Sequence, residues 1–148
     1  MLIEKEELPL VAMEFMNNTH TEDLKIINEL FELVLKYEKE ASIENEARLN
    51  SKYKEWLDHT IEHFKAEEIM MQEKNFPPYP MHKAEHDNAL KTMEELFEKW
   101  LQTKDIQILK QYFIETLPGW LVGHIKTMDT VTAMFFKTGL SPCGGKKL

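Results

Sequence analysis

Apolar residues recur along most of this chain at three- and four-residue intervals, the spacing of one buried helix face. From Thr21 to Tyr37 the stripe is His20, Leu24, Ile27, Phe31 and Val34. A second helix over about 43–74 carries Leu49, Tyr53, Trp56, Thr60, His63, Glu67 and Met70 on its inward face. The segment Phe76-Pro-Pro-Tyr-Pro80 then forbids continuation, because proline lacks the backbone donor and clashes with the preceding turn. A third helix over about 81–102 has the stripe His82, His86, Ala89, Met93, Leu96 and Trp100. The fourth helical region, about 105–137, contains Pro118-Gly119, which predicts a kink or a split. Beyond it Leu121, His124, Met128, Val131 and Phe135 face inward, and Gly139 and Pro142 end the helix.

No alternating strand pattern competes. Four amphipathic helices with short connections predict an all-α, up-down-up-down antiparallel four-helix bundle. Residues 1–18 read as an irregular arm, laid over the bundle (about 19–137) by Leu8, Leu10, Met13 and Phe15. The end of the chain, about 138–148, reads as a loose tail. A length of 148 residues fits one domain with a substantial core.

Charge and composition narrow the partners. A net charge of -8 without a basic run argues against nucleic acid and anionic membrane surfaces. No apolar run of about 18 residues spans a membrane, and the acidic start lacks a signal-peptide core. The single Cys143 can form no internal disulfide, which fits a reducing cytoplasm and gives that thiol no expected role at a site. No obligate protein partner is evident.

The inward stripes carry an anomaly: they include imidazoles and carboxylates, which are costly to bury unpaired. His63/Glu67 and His82/His86 are four apart, so each pair points the same way from its helix. Together with His20, His124 and Asp129 they make five imidazoles and two carboxylates. That is too many for one tetrahedral zinc and suits a pair of six-coordinate ions with bridging carboxylates. A lone histidine on an apolar stripe is usually a hydrogen-bonded core residue. Four helices each placing one inward overturn that default. His124 and Asp129 are five apart, about 140° around an ideal helix, so a π-bulge is needed to bring them together. His59 lies on the flank of its stripe and reads as a partly exposed or supporting residue.

These residues carry a family resemblance. His20 ahead of Ile26-Ile27-Asn28-Glu29-Leu30, His63-Phe-x-x-Glu67-Glu68, Tyr79-Pro80, His82-x-x-x-His86 and His124-x-x-x-x-Asp129 resemble a single-domain bacteriohemerythrin over about residues 15–137. The resemblance implies two iron ions in an oxo- or hydroxo-bridged centre. His82, His86 and His124 hold one, His20 and His63 hold the other, and Glu67 and Asp129 bridge them. It implies a non-enzymatic protein, with no catalytic residue, that binds dioxygen reversibly as a hydroperoxide. Trp120, Leu121 and Ile125 match the family's oxygen-pocket positions.

Two departures stand out. The arm lacks the tryptophan that many relatives carry, and Asp23 stands where many have an apolar pocket residue. The commoner reading of Asp23 is a solvated first-turn acid favoured by the helix dipole. The functional reading puts it at the pocket edge, where it makes the pocket wetter and assists loss of bound peroxide. The competing class is a ferritin-like di-iron enzyme or iron-handling protein. Its paired Glu-x-x-His motifs are absent here, as is the His-Glu-x-x-His of a zinc hydrolase.

Overall fold

The arm is fixed by two asparagines. In the computed structural model, which describes residues 2–139, Asn28 accepts the Ile3 N–H and returns its own amide to the Ile3 carbonyl, both at 3.0 Å. Asn17 does the same for Val11, with both bonds at 2.9 Å. A carboxamide thus stands in for a strand partner and satisfies backbone groups that no helix would satisfy. The arm contains one short 3₁₀ turn, Lys5–Glu7, and ends earlier than the sequence suggests, because α1 spans Glu14–Lys39. Leu8 and Met13 do pack on the core, but Leu10 is 83% exposed and Phe15 36%. Ile3, Val11 and Met16 are the buried anchors instead.

Ser42 starts α2 (Ile43–Glu73) by accepting the Asn45 N–H at 3.0 Å, a side-chain cap for an otherwise orphaned donor. Eighteen residues make about five turns, so Met71 repeats the position of Tyr53. Met71 is accordingly buried, and Met70, expected on the stripe, is only half-buried. α3 (Tyr79–Thr103) begins inside the proline cluster, with Pro80 in the first turn, where no backbone donor is required.

The fourth rod is one continuous run rather than two helices. It comprises α4 (Ile106–Gln111), a π turn (Tyr112–Thr116), α5 (Leu117–His124), a second π turn (Ile125–Asp129) and α6 (Thr130–Thr138). Pro118 cannot donate, and the turn before it widens so that the Leu117 N–H reaches Tyr112 O, five residues back. Gly139, at φ 74°, closes α6 in the left-handed region that suits glycine. Cys143 and Pro142 lie outside the described residues.

α1 packs on α2, α2 on α3, and α4 on both α3 and α1, which closes the four rods into the expected bundle. No helix among the described residues is long and apolar enough to cross a membrane. At one end an aromatic layer joins the rods. The Tyr53 hydroxyl donates to Met93 O at 2.6 Å, the Trp100 indole donates to Asn50 at 2.8 Å, and Trp56 lies 5.3 Å from Phe113. Phe76 against Phe135 helps close the other end. The polar members of the stripes lie between these aromatic contacts.

Candidate metal centre

All seven residues of the sequence constellation are buried and converge. His20 comes from α1, His63 and Glu67 from α2, His82 and His86 from α3, and His124 and Asp129 from the fourth rod. The second π turn decides the last pair. The Thr130 N–H reaches Ile125 O, five residues back, and His124 Nε2 comes to lie 3.2 Å from Asp129 Oδ1. The extra residue in that turn also advances the register by about 100°. Asp129, Thr132, Ala133 and Phe136 therefore face inward, whereas Met128 and Val131, expected there, are half-buried.

The two carboxylates each divide their oxygens between two groups of imidazoles. Asp129 Oδ1 lies 3.1 Å from His82 Nε2, and Oδ2 lies 2.9 Å from His20 Nε2. Glu67 Oε1 lies 3.4 Å from His86 Nε2 and 3.6 Å from His82 Nε2, and Oε2 lies 2.6 Å from His63 Nε2. Neighbouring donors on an octahedral ion with bonds of about 2.1 Å stand about 3.0 Å apart. The observed separations bracket that edge. Donor atoms of Glu67, His82, His86, His124 and Asp129 lie within 4.8 Å of one another, as do those of His20, His63 and Glu67. Asp129 joins the smaller group through its contact with His20.

Buried atoms without hydrogen-bond partners test whether a cation fits. They include His82 Nε2, His86 Nε2, His124 Nε2, Glu67 Oε1 and Asp129 Oδ1, the five atoms that face one another at the three-histidine end. Each unsatisfied buried polar atom costs about 1–3 kcal/mol. Imidazole nitrogens and carboxylate oxygens are the donors a transition-metal ion takes, so the residues fit such an ion.

Four of the five imidazoles are held from behind. His82 Nδ1 meets Thr132 Oγ1 at 2.7 Å, His86 Nδ1 meets Glu68 at 2.9 Å, and His124 Nδ1 meets Glu85 at 2.5 Å. His63 Nδ1 lies 2.7 Å from Asp23 Oδ2, a charge contact short of a straight hydrogen bond. His20 Nδ1 has no hydrogen-bond partner. Such partners fix the tautomer and orientation of a ligating imidazole. Sequence reasoning assigned no role to Glu68, Glu85 or Thr132. Each flanks its ligand stripe at a spacing shared by ordinary solvated acids, and Thr132 turns inward only after the π turn.

Asp23 is 6% exposed, and α1 begins at Glu14, so it is no solvated first-turn acid. Its Oδ1 lies 2.5 Å from His59 Nδ1, and the His59 side chain is 26% exposed. Burial alone would raise the Asp23 carboxyl, but its contacts with His59 and His63 prevail and hold it below the ordinary carboxylate range. Burial likewise opposes the low values of Glu67 and Asp129. His63 and His86 overcome it at Glu67, where repulsion from Asp129 also acts upward. His124, His20 and His82 overcome it at Asp129 and hold that carboxyl well down. In the metal-free site burial pushes His63 and His124 down, yet their carboxylate partners win and raise both, His63 strongly.

A cavity of about 30 Å³ opens against His20, His63, His124 and Asp129. Its wall includes Ile27, Trp56, Leu117, Trp120, Leu121 and Asp23. A water needs about 10–15 Å³ of such space, so a diatomic molecule fits. Trp120 and Leu121 both line this cavity. Ile125 is fully buried but does not line the cavity, since it lies about 100° around the helix from His124.

Comparison with known proteins agrees with this geometry. The family model of the hemerythrin HHE cation binding domain matches residues 11–135. The chain belongs to the hemerythrin family. It is 32% identical over 133 residues to a bacteriohemerythrin of Aquifex aeolicus, covering 90% of this chain and 96% of that one. A bacteriohemerythrin of Methylococcus capsulatus is 29% identical over 100 residues, covering 68% and 75%. A myohemerythrin of Sipunculus nudus is 34% identical over 79 residues, covering 53% and 58%. No solved structure matches significantly. Membership of this hemerythrin family implies non-haem iron at the histidine–carboxylate cluster.

Proposed function

We propose that this hemerythrin binds dioxygen reversibly at a pair of iron ions and has no catalytic residue of its own. The observation that carries this reading is the division of Glu67 and Asp129, each with one oxygen toward the three-histidine group and one toward the two-histidine group. His82, His86 and His124 would hold one ion and His20 and His63 the other, with Glu67 and Asp129 shared between them. Two iron ions would supply the two electrons that reversible oxygen binding uses.

The chain's own residues do the rest. The cavity borders both histidines of the two-histidine group and only His124 of the other, so the two-histidine ion is the more accessible to a small molecule. Ile27, Trp56, Leu117 and Leu121 line it with apolar surface, which limits water and proton entry. Apart from the cluster itself, Asp23, Thr60 and Tyr112 are the lining residues that carry a carboxylate or hydroxyl group, and Thr60 is committed to Trp56 O at 2.8 Å. Five imidazoles against two carboxylates also separate the site from a carboxylate-rich ferritin-like centre.

The test is the optical spectrum of anaerobically reduced protein before and after air, with iron counted per chain. Two irons and a visible charge-transfer band that disappears when oxygen is removed are expected. One zinc per chain, or two irons with no oxygen-dependent band, overturns the proposal.

A further inference from the structure

Asp23 uses both of its oxygens on one neighbouring helix. Oδ1 lies 2.5 Å from His59 Nδ1 and Oδ2 lies 2.7 Å from His63 Nδ1, and the two histidines stand one turn apart on α2. Asp23 itself is on α1, three residues after His20. It therefore ties together the two helices that carry His20 and His63. His59 also contacts Glu22 at 3.4 Å and is not among the residues whose donor atoms converge in the candidate metal cluster.

The other support on this half is thin. His20 Nδ1 has no hydrogen-bond partner, whereas each histidine of the three-histidine group has one. Asp23 also forms part of the cavity wall. A carboxylate there with a free oxygen would present it to the cavity. With one oxygen on each histidine, the side chain is turned onto α2.

We propose that Asp23 and His59 form a positioning pair: Asp23 orients His63 toward the second ion and pins α1 against α2, and His59 holds Asp23 in that orientation. The inference rests on the two-ion reading above and identifies what makes its weaker half bind. Partners of this kind, when removed from metal sites, cost about 10–100-fold in metal affinity.

Cobalt(II) titration of the metal-free protein, with a competing chelator, resolves the two binding steps. Asp23→Asn keeps the shape but replaces one acceptor by a donor. It is expected to weaken the second step about tenfold or more, with the first step unchanged. His59→Ala is expected to weaken the second step by less, still taking up two ions at saturation, and His59→Gln to recover part of that loss. In the cobalt-loaded protein the exchangeable imidazole N–H signal of His63 shifts or vanishes in Asp23→Asn, while those of His82, His86 and His124 stay in place. Asn28→Ala, which removes the clamp on the arm, is a control that loses stability without changing either step. Wild type taking up one ion overturns the two-ion reading and this inference with it. Wild type taking up two, with Asp23→Asn indistinguishable in both affinities and N–H signals, overturns the positioning role alone.

Discussion

The two halves of the centre are built differently. On the three-histidine half every imidazole is backed by a hydrogen-bond partner, and two are clamped by stacked rings. Phe64 lies 3.8 Å from His86 at an interplanar angle of 1°, and Trp120 lies 4.7 Å from His124 at 8°. On the two-histidine half one imidazole has no partner behind it, the other depends on Asp23, and the cavity is adjacent. One half backs its donors closely. The other leaves room beside them. The lesson is that a site can separate retention from access by where it places its supporting residues, with the same ligand types throughout.

Removing a residue common to both halves should produce the largest change. Glu67→Ala takes an oxygen from each group and is expected to lose at least one iron per chain. Metal present at about a hundredfold over its dissociation constant stabilises by about 2.7 kcal/mol. In a chain of this size that corresponds to roughly 5–10 °C in the melting temperature of the loaded protein. Iron content and melting temperature equal to wild type would remove Glu67 from its bridging role.

A chelator challenge sharpens the comparison. The ion on the two-histidine half is expected to leave first, at least tenfold faster, because its imidazoles have weaker support. The time course of metal loss should be biphasic, with one equivalent in each phase. A single phase would mean that the two halves retain metal equally.

The smallest effect expected is a dependence on pH. In the metal-free protein His63 and His124 titrate above the ordinary histidine value, so the stability they add is complete below about pH 6.5. It is lost as the pH rises through their raised values, because the folded state then binds more protons than the unfolded. Glu67 and Asp129 titrate below this window and contribute a constant amount there. Metal requires deprotonated imidazole, so its affinity rises over the same range. The melting temperature of metal-free protein should fall as the pH rises above about 6.5, and the gap to the loaded protein should widen. A gap independent of pH would show that the imidazoles are neutral in both states.

The helices and five of the site residues were legible because burial leaves a periodic trace. His20, His63, Glu67, His82 and His86 repeat at intervals that match the helical turn, so their shared faces follow from arithmetic. Only the need for a π-bulge at His124 and Asp129 could be stated, because the hydrogen bond that widens that turn leaves no mark in residue type. Asp23 was weighed wrongly for a similar reason. An acid one turn from a ligand looks the same in sequence whether it faces solvent or two histidines on another helix. The arm was also misread at Leu10 and Phe15, since local apolarity does not reveal which residues the asparagine clamps carry inward.

By itself, then, the sequence determined the class of fold, the number of rods and the identity of the buried donors, all properties of one helix taken at a time. The tertiary structure alone decided which oxygen of each carboxylate faces which imidazoles, which acids stand behind the histidines, and which imidazoles the cavity borders. Those are relations between helices, set by rotation and register in the packed bundle, and no spacing within a single helix encodes them.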